Sequence, residues 1–271
     1  MIELPEGITL AKQINDCLIG KTVKSVLPPT KIHKFCWFNG DPIDYESRIN
    51  GSTIVSGSAF GIFVEIAFDN GMLLCFDDGV NIRYCENGDI PKDYQLAIHF
   101  SDGSAVVFTV AMYGGIVLHD GNYDNIYYAK SKIAISPFSP DFAKYYYKTM
   151  AESKPTLSAK AFLATEQRFP GIGNGVLQDI LYTAGTNPKT KISTLSDKDK
   201  TLLLNSIVSV LQEMTDKGGR DTEKDVFGNS GNYITKLSKL TAHSCCRVCG
   251  GGIVKEAYLG GAVYYCPVCQ K

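Results

Sequence analysis

The chain has 271 residues, 44% hydrophobic and 20% charged, a composition that suits a soluble chain with a sizeable core and room for more than one domain. No basic stretch precedes an apolar one at the start, and no run of about 18 apolar residues occurs, so secretion and membrane spanning are not predicted and a cytoplasmic protein is the expectation. The near-neutral total hides an asymmetry: residues 1–136 hold 10 Lys+Arg against 16 Asp+Glu, and residues 137–271 hold 17 against 12, which makes the second half the better candidate for a polyanionic partner, or simply a solvated face.

The opening MIELPEG sets two carboxylates, Glu3 and Glu6, around a Leu-Pro pair beside the chain's amine, where most proteins keep a disposable end. Residues 8–19 then place Leu10, Ile14, Cys17 and Leu18 on one helical face, and Gly20 supplies a stop. From residue 52 the period changes to two in STIVSGSA, GIFVEIAF, MLLCF, YQLAIHF, SAVVFTVA and GGIVLHD, with DNG and SDG turns between them. This predicts an antiparallel sandwich or barrel, since no stretch long enough for a helical crossover separates the strands. After SPFSPDF the pattern becomes helical in TLSAKAFLATEQ, NGVLQDILYTAG and STLSDKDKTLLLNSIVSVLQEM. Residues 217–232, polar and glycine-rich, read as a mobile surface loop.

Two motifs carry chemistry. Cys246-x2-Cys249 and Cys266-x2-Cys269 have the spacing of a four-cysteine zinc site on two knuckles flanking a hairpin, with Cys245 a spare thiol able to replace Cys246. Four thiolates fill the coordination shell, so such a zinc stabilises structure and does no chemistry. Cys17, Cys36, Cys75 and Cys85 lie singly in apolar surroundings, as core residues do. In FPGIGNGVLQDIL, glycines precede Asn174 at a helix start, where backbone N–H groups can hold a phosphate and the Asn side chain can cap the helix or reach the same anion.

Together, the N-terminal ELPE, the β-rich domain, GIGN and the terminal CRVCG…YYCPVCQK resemble the bacterial formamidopyrimidine-DNA glycosylase and endonuclease VIII family over essentially the whole chain. The resemblance implies a multidomain α+β fold: an N-terminal β-sandwich with one helix over residues 1–136, a helix-two-turn-helix domain over 137–241, and a zinc finger over 242–271. It implies a monomer that binds damaged or abasic duplex DNA between the domains and carries a structural zinc on Cys246, Cys249, Cys266 and Cys269. Family members attack the damaged nucleotide's sugar with the N-terminal amine while the adjoining glutamate handles protons, which assigns Met1, Ile2 and Glu3 to catalysis and Asn174, Lys160 and Lys239 to DNA binding. An α-amine suits this use, since its ordinary pKa of about 7.7–8.0 leaves a useful neutral fraction near pH 7. Glu6 is expected to fix the helix start.

Several positions depart from the family pattern. The usual nucleophile is a proline exposed by methionine removal, and here Ile2 takes its place. A bulky second residue hinders that removal, so the amine is expected on Met1, displaced by about 3.3–3.6 Å of chain. A strand lysine falls on Ile62, a histidine on Phe76, the finger arginine on Gly261, an Arg-Arg-Phe stretch on Ala111, Met112 and Tyr113, and a phosphate-binding tyrosine on Lys239. Three readings stay open: a glycosylase with abasic-site lyase activity, a DNA-binding protein on the same scaffold that has lost the chemistry, and a zinc-ribbon adaptor for proteins.

Overall fold

In the computed structural model, which describes residues 1–271, the alternating stretches become β3 (Ile54–Phe60), β4 (Phe63–Phe68), β5 (Leu73–Asp77), β7 (Leu96–Phe100), β8 (Ala105–Val110) and β9 (Gly114–His119). Three strands that the alternation did not reveal join them: β1 (Val23–Leu27), β2 (Cys36–Trp37) and β6 (Val80–Cys85). They form a four-stranded sheet, β1-β7-β8-β6, and a five-stranded sheet, β2-β9-β5-β4-β3, antiparallel except where β2 runs parallel to β9. The inner faces meet in one apolar core, illustrated by the edge-to-face pair of Phe76 and Phe108 at 5.3 Å across the two sheets. Phe76 is fully buried, so the residue at the family's histidine position is a core residue.

Helix α1 (Leu4–Cys17) starts before the predicted 8–19 stretch, because Pro5 is preorganised for the first turn and Glu6 accepts the Glu3 N–H at 3.2 Å. The expectation for Glu6 therefore holds. α2 (Tyr45–Ile49) is a single turn, and α3 (Ile126–Lys132) leads out of the sandwich. The helical part holds α4 (Phe142–Glu152), α5 (Ala159–Ala164), α6 (Asn174–Thr183) and α7 (Asp197–Asp216), closed around a second core rich in edge-to-face aromatic pairs such as Phe162 with Phe169. α1 belongs to both cores: Leu10 and Ile14, with Leu18 at its C-cap, lie in the sandwich and Leu4 in the helical core. A terminal hairpin, β10 (Val254–Tyr258) and β11 (Gly261–Tyr265), turns through Leu259 and Gly260, both at positive φ.

Residues 217–232 do not form the expected mobile loop. Val226 is buried in the sandwich core, the Tyr84 N–H donates to the Val226 carbonyl at 2.7 Å, and Gln13 of α1 donates to Asp225 at 3.0 Å. The segment leaves α7 in the helical part and is pinned across the sandwich. No helix is long and apolar enough to cross a membrane.

Candidate active site

A cleft of about 570 Å³ opens where the sandwich, the start of α6, the 217–239 segment and the terminal hairpin meet, and Met1, Glu3, Asn174, Arg220, Glu223 and Lys239 all line it. The first three residues take separate paths into it. The Ile2 side chain is buried in the sandwich core, and its N–H donates to the Asp78 carbonyl at 2.6 Å. With Ile2 held from both sides, Met1 projects into the cleft and its amine pairs with the Glu223 carboxylate.

Glu3 is turned toward the helical part. Its carboxylate accepts the Gly175 N–H at 2.8 Å and the Val176 N–H at 2.7 Å, so the free amides at the start of α6 hold this residue and not a phosphate. Gly173 and Gly175 permit the approach, because a Cβ at Gly173 would stand 2.7 Å from Glu3 Oε1 and one at Gly175 would collide with the Arg220 guanidinium. Burial raises the Glu3 pKa and the Glu6 charge adds to that, while Arg220 and the two amides pull it down; the net direction is up.

Arg220, which the sequence alone did not single out, organises this corner. Its Nε and Nη2 donate to the Glu6 carboxylate at 2.9 and 2.7 Å, Nη2 reaches the Met1 carbonyl at 3.2 Å, and Nη1 lies 3.7 Å from Glu3. Burial pulls the guanidinium pKa down, and the two carboxylates more than offset it, so the net direction is up. The only signal in the sequence was an arginine inside a glycine-rich stretch, whose partner Glu6 lies 214 residues away. The mouth of the cleft is set by the turn between β5 and β6, whose Gly79 exchanges hydrogen bonds with Tyr113 at 2.9 Å and Ala111 at 3.0 Å. Met112 is consequently exposed at the rim, and the Tyr113 ring lies 6.3 Å from the half-exposed Trp37.

Asn174 is exposed in the cleft and makes no capping bond; Gly173 is the N-cap of α6. Of the two roles its position allowed, capping is therefore lost. Lys239 is exposed at the cleft wall, on a segment anchored by the buried Asp179, which accepts the Lys236 and Leu237 N–H groups at 2.8 and 2.7 Å. Lys160 lies elsewhere: it is buried in α5, and its Nζ donates to the Tyr258 carbonyl of the hairpin at 2.5 Å. Burial lowers its pKa. Ile62 packs against Phe63 and Tyr128, half-buried. Gly261 faces Asn174 so closely that a Cβ there would collide with the carboxamide. Gln178, also unread in the sequence, docks the hairpin on α6 by donating to the Ala262 carbonyl at 3.1 Å and accepting the Tyr264 N–H at 3.0 Å.

The thiols of Cys246, Cys249, Cys266 and Cys269 lie within 4.8 Å of one another, with Cys246 and Cys269 sulfurs 3.8 Å apart and those of Cys249 and Cys266 3.5 Å apart. A tetrahedral ion bonded to thiolates at about 2.3 Å separates its sulfurs by about 3.8 Å, so the donor set fits a metal ion. Cys245 is exposed and outside the cluster. The Tyr182 hydroxyl lies 3.1 Å from Cys246 Sγ, tying the cluster to α6.

No family model matches the chain. Along its full length the chain is similar to the formamidopyrimidine-DNA glycosylases of Cytobacillus firmus, at 25% identity over 281 residues, and of Streptococcus thermophilus, at 27% over 281 residues, covering 100% of both chains in each case. Among solved structures, a complex between Lactococcus lactis Fpg and DNA containing an abasic site matches with a TM-score of 0.83, 22% identity and 99% coverage of each chain. A complex of the same protein with DNA containing FAPY-dG matches with a TM-score of 0.83, 22% identity and coverage of 99% and 100%. The structural likeness is one of fold: sandwich, helices and cysteine-bearing hairpin are shared.

Proposed function

The chain belongs to the formamidopyrimidine-DNA glycosylase family, and on that premise we propose that it excises damaged bases from duplex DNA and cleaves abasic sites, with the Met1 amine as nucleophile and Glu3 as proton carrier. The observation that supports this reading is the convergence of the amine, Glu3 and Asn174 on one cleft between the two halves of the molecule. Attack of the amine on the sugar's anomeric carbon would form an N–C bond while the C–N bond to the base breaks and its electron pair leaves with the base. Opening of the sugar needs a proton on the ring oxygen, and a buried glutamate whose pKa is raised is suited to carry one. The resulting Schiff base acidifies the neighbouring sugar carbon, so that loss of a proton there expels the 3′ phosphate and cuts the strand. The phosphate chain would lie over Asn174 and Lys239, which position it without reading bases. A zinc ion on Cys246, Cys249, Cys266 and Cys269 would supply no chemistry; it would hold the hairpin against α6 and Lys160.

The test is borohydride trapping on duplexes that contain an abasic site, an oxidised purine or an oxidised pyrimidine, with intact mass to identify the N-terminus. Acetylation of the amine should abolish trapping. Glu3→Gln should reduce base excision sharply and leave DNA affinity nearly unchanged. Ile2→Pro, which permits methionine removal and restores a secondary amine, should raise activity if the pocket accepts it. No activity on any substrate in either the unmodified chain or Ile2→Pro would reject the enzyme and leave a DNA-binding scaffold.

A further inference from the structure

Four carboxylates lie at this corner of the cleft, two of them are committed elsewhere, and only one touches the Met1 amine. Glu3 is bound by the Gly175 and Val176 amides at 2.8 and 2.7 Å. Glu6 is held by Arg220 at 2.9 and 2.7 Å and by the Glu3 N–H at 3.2 Å. Asp78 gives the Ile2 N–H only its backbone carbonyl, at 2.6 Å; its carboxyl, which burial pushes up to about 6 against the pull of the amine's charge, makes no hydrogen bond. Glu223 alone contacts the amine, with one oxygen, while the other accepts the Thr222 hydroxyl at 3.4 Å. Its backbone N–H donates to the Arg220 carbonyl at 3.1 Å, so the arginine that pins the segment also fixes where Glu223 stands.

Resting on the function proposed above, we propose that Glu223 is a catalytic residue that takes a proton from the Met1 ammonium and returns it to the departing oxygen during Schiff-base formation. A paired ammonium has no lone pair and cannot attack. Transfer of one proton to Glu223 Oε2 frees the pair, which forms the N–C1′ bond of a carbinolamine with an abasic-site aldehyde while the carbonyl π electrons move to oxygen. That oxygen takes the remaining surplus proton of the amine and the proton from Glu223, and leaves as water as the nitrogen pair forms the C=N bond. The sum is ammonium plus aldehyde giving a protonated imine plus water, with Glu223 restored as a carboxylate and no oxidant or reductant involved. Glu3, tied to a helix terminus, is left for the sugar ring oxygen, so the two glutamates divide the proton transfers.

Single-turnover trapping on an abasic duplex, with Glu223→Gln and Glu223→Ala beside the unmodified chain, tests the assignment. Both variants should trap roughly a hundredfold more slowly, with DNA affinity unchanged or tighter by anisotropy, because a negative charge leaves the cleft. Glutamine keeps an oxygen able to tether the amine, so a mere tether would leave that variant near the original rate. Added formate should restore part of the alanine variant's rate. Unchanged rates in the variants, failure of formate to rescue, or trapping through the Ile2 amine of an otherwise unsubstituted chain that has lost Met1 would overturn the assignment while leaving the proposed function standing. Absence of trapping in the unmodified chain would overturn both.

Discussion

Gly175 and Gly261 both lie where a side chain would meet a neighbour, and they differ in whether that neighbour can move. A Cβ at Gly175 would collide with Arg220, which two bonds to Glu6 and one to the Met1 carbonyl hold in place, and would stand 2.9 Å from Glu3. Gly175→Ala should therefore cost about 1–3 kcal/mol in urea unfolding and disorganise the cleft. A Cβ at Gly261 would collide only with the exposed Asn174 carboxamide, which can swing aside. Gly261→Ala should stay within about 0.5 kcal/mol of the original stability yet weaken DNA binding in a gel-shift titration, because the displaced group is the proposed phosphate contact. Asp77 gives a pH-dependent counterpart. Burial pushes its carboxyl up to about 7 despite the Gly115 N–H at 2.7 Å, against 3.8 as its ordinary value. The folded chain thus keeps a proton that the unfolded chain releases, so stability falls as pH rises from about 4 to about 7 and then levels off. Asp77→Asn, whose amide oxygen can still accept from Gly115, should match the original chain near pH 4 and exceed it by on the order of 1–2 kcal/mol at pH 8, a figure reduced for the residue's partial exposure. Thermal melts across that range would show it, and parallel curves for the two chains would refute the assignment.

At the scale of elements, the terminal hairpin was readable because its determinants are local: two C-x2-C knuckles and a short tight turn. Cys246→Ser or Cys269→Ser should lower zinc content from about one per chain and loosen the hairpin without unfolding the sandwich, while Cys245→Ser should be nearly silent in metal analysis and circular dichroism. Six of the strands between residues 52 and 119 are readable for the same reason, since alternation shows in any few consecutive residues. β1 and β2 are short and flank the polar PPTKIHK stretch, and β6 follows a DDG turn with exposed Asn81 and Arg83, so neither composition nor period set them apart. α4 carries Phe142, Tyr146 and Met150 at helical spacing, but Tyr145 and Tyr147 between them blur the stripe. In sequence the 217–232 segment looks like solvent-facing chain because of its glycines and charges, whereas the charge that matters, Arg220, has its partner on α1. In the cleft, Glu3 was legible from the opening motif. Its hold on α6 was not, because two backbone amides have no side-chain identity to read. Asn174 looked like a helix cap because asparagine so often is one, but Gly173 occupies that position and frees the side chain.

Across the whole molecule, the sandwich is acidic and the second half basic, and under the proposed function Lys239 and Lys160 should report on DNA binding in different ways. Lys239→Ala should weaken duplex binding irrespective of sequence and flatten the salt dependence by about 0.9 in log–log slope, as expected for one lost phosphate contact. Lys160→Ala should weaken binding through the hairpin it supports, with the slope unchanged; anisotropy titrations at several salt concentrations separate the two. The corner built by Arg220 also bears on how the protein comes into being. Glu3 and Glu6 leave the ribosome ahead of the arginine that orders them, which follows 214 residues after Glu6. Until that late segment emerges and crosses back over the sandwich, a nascent chain has its amine and its glutamates but no arrangement of them. A fragment cut short by a stalled ribosome or a protease would therefore carry these groups without the geometry that orders them, so the reactivity proposed for the first residues is withheld until the segment that carries Arg220 has been made.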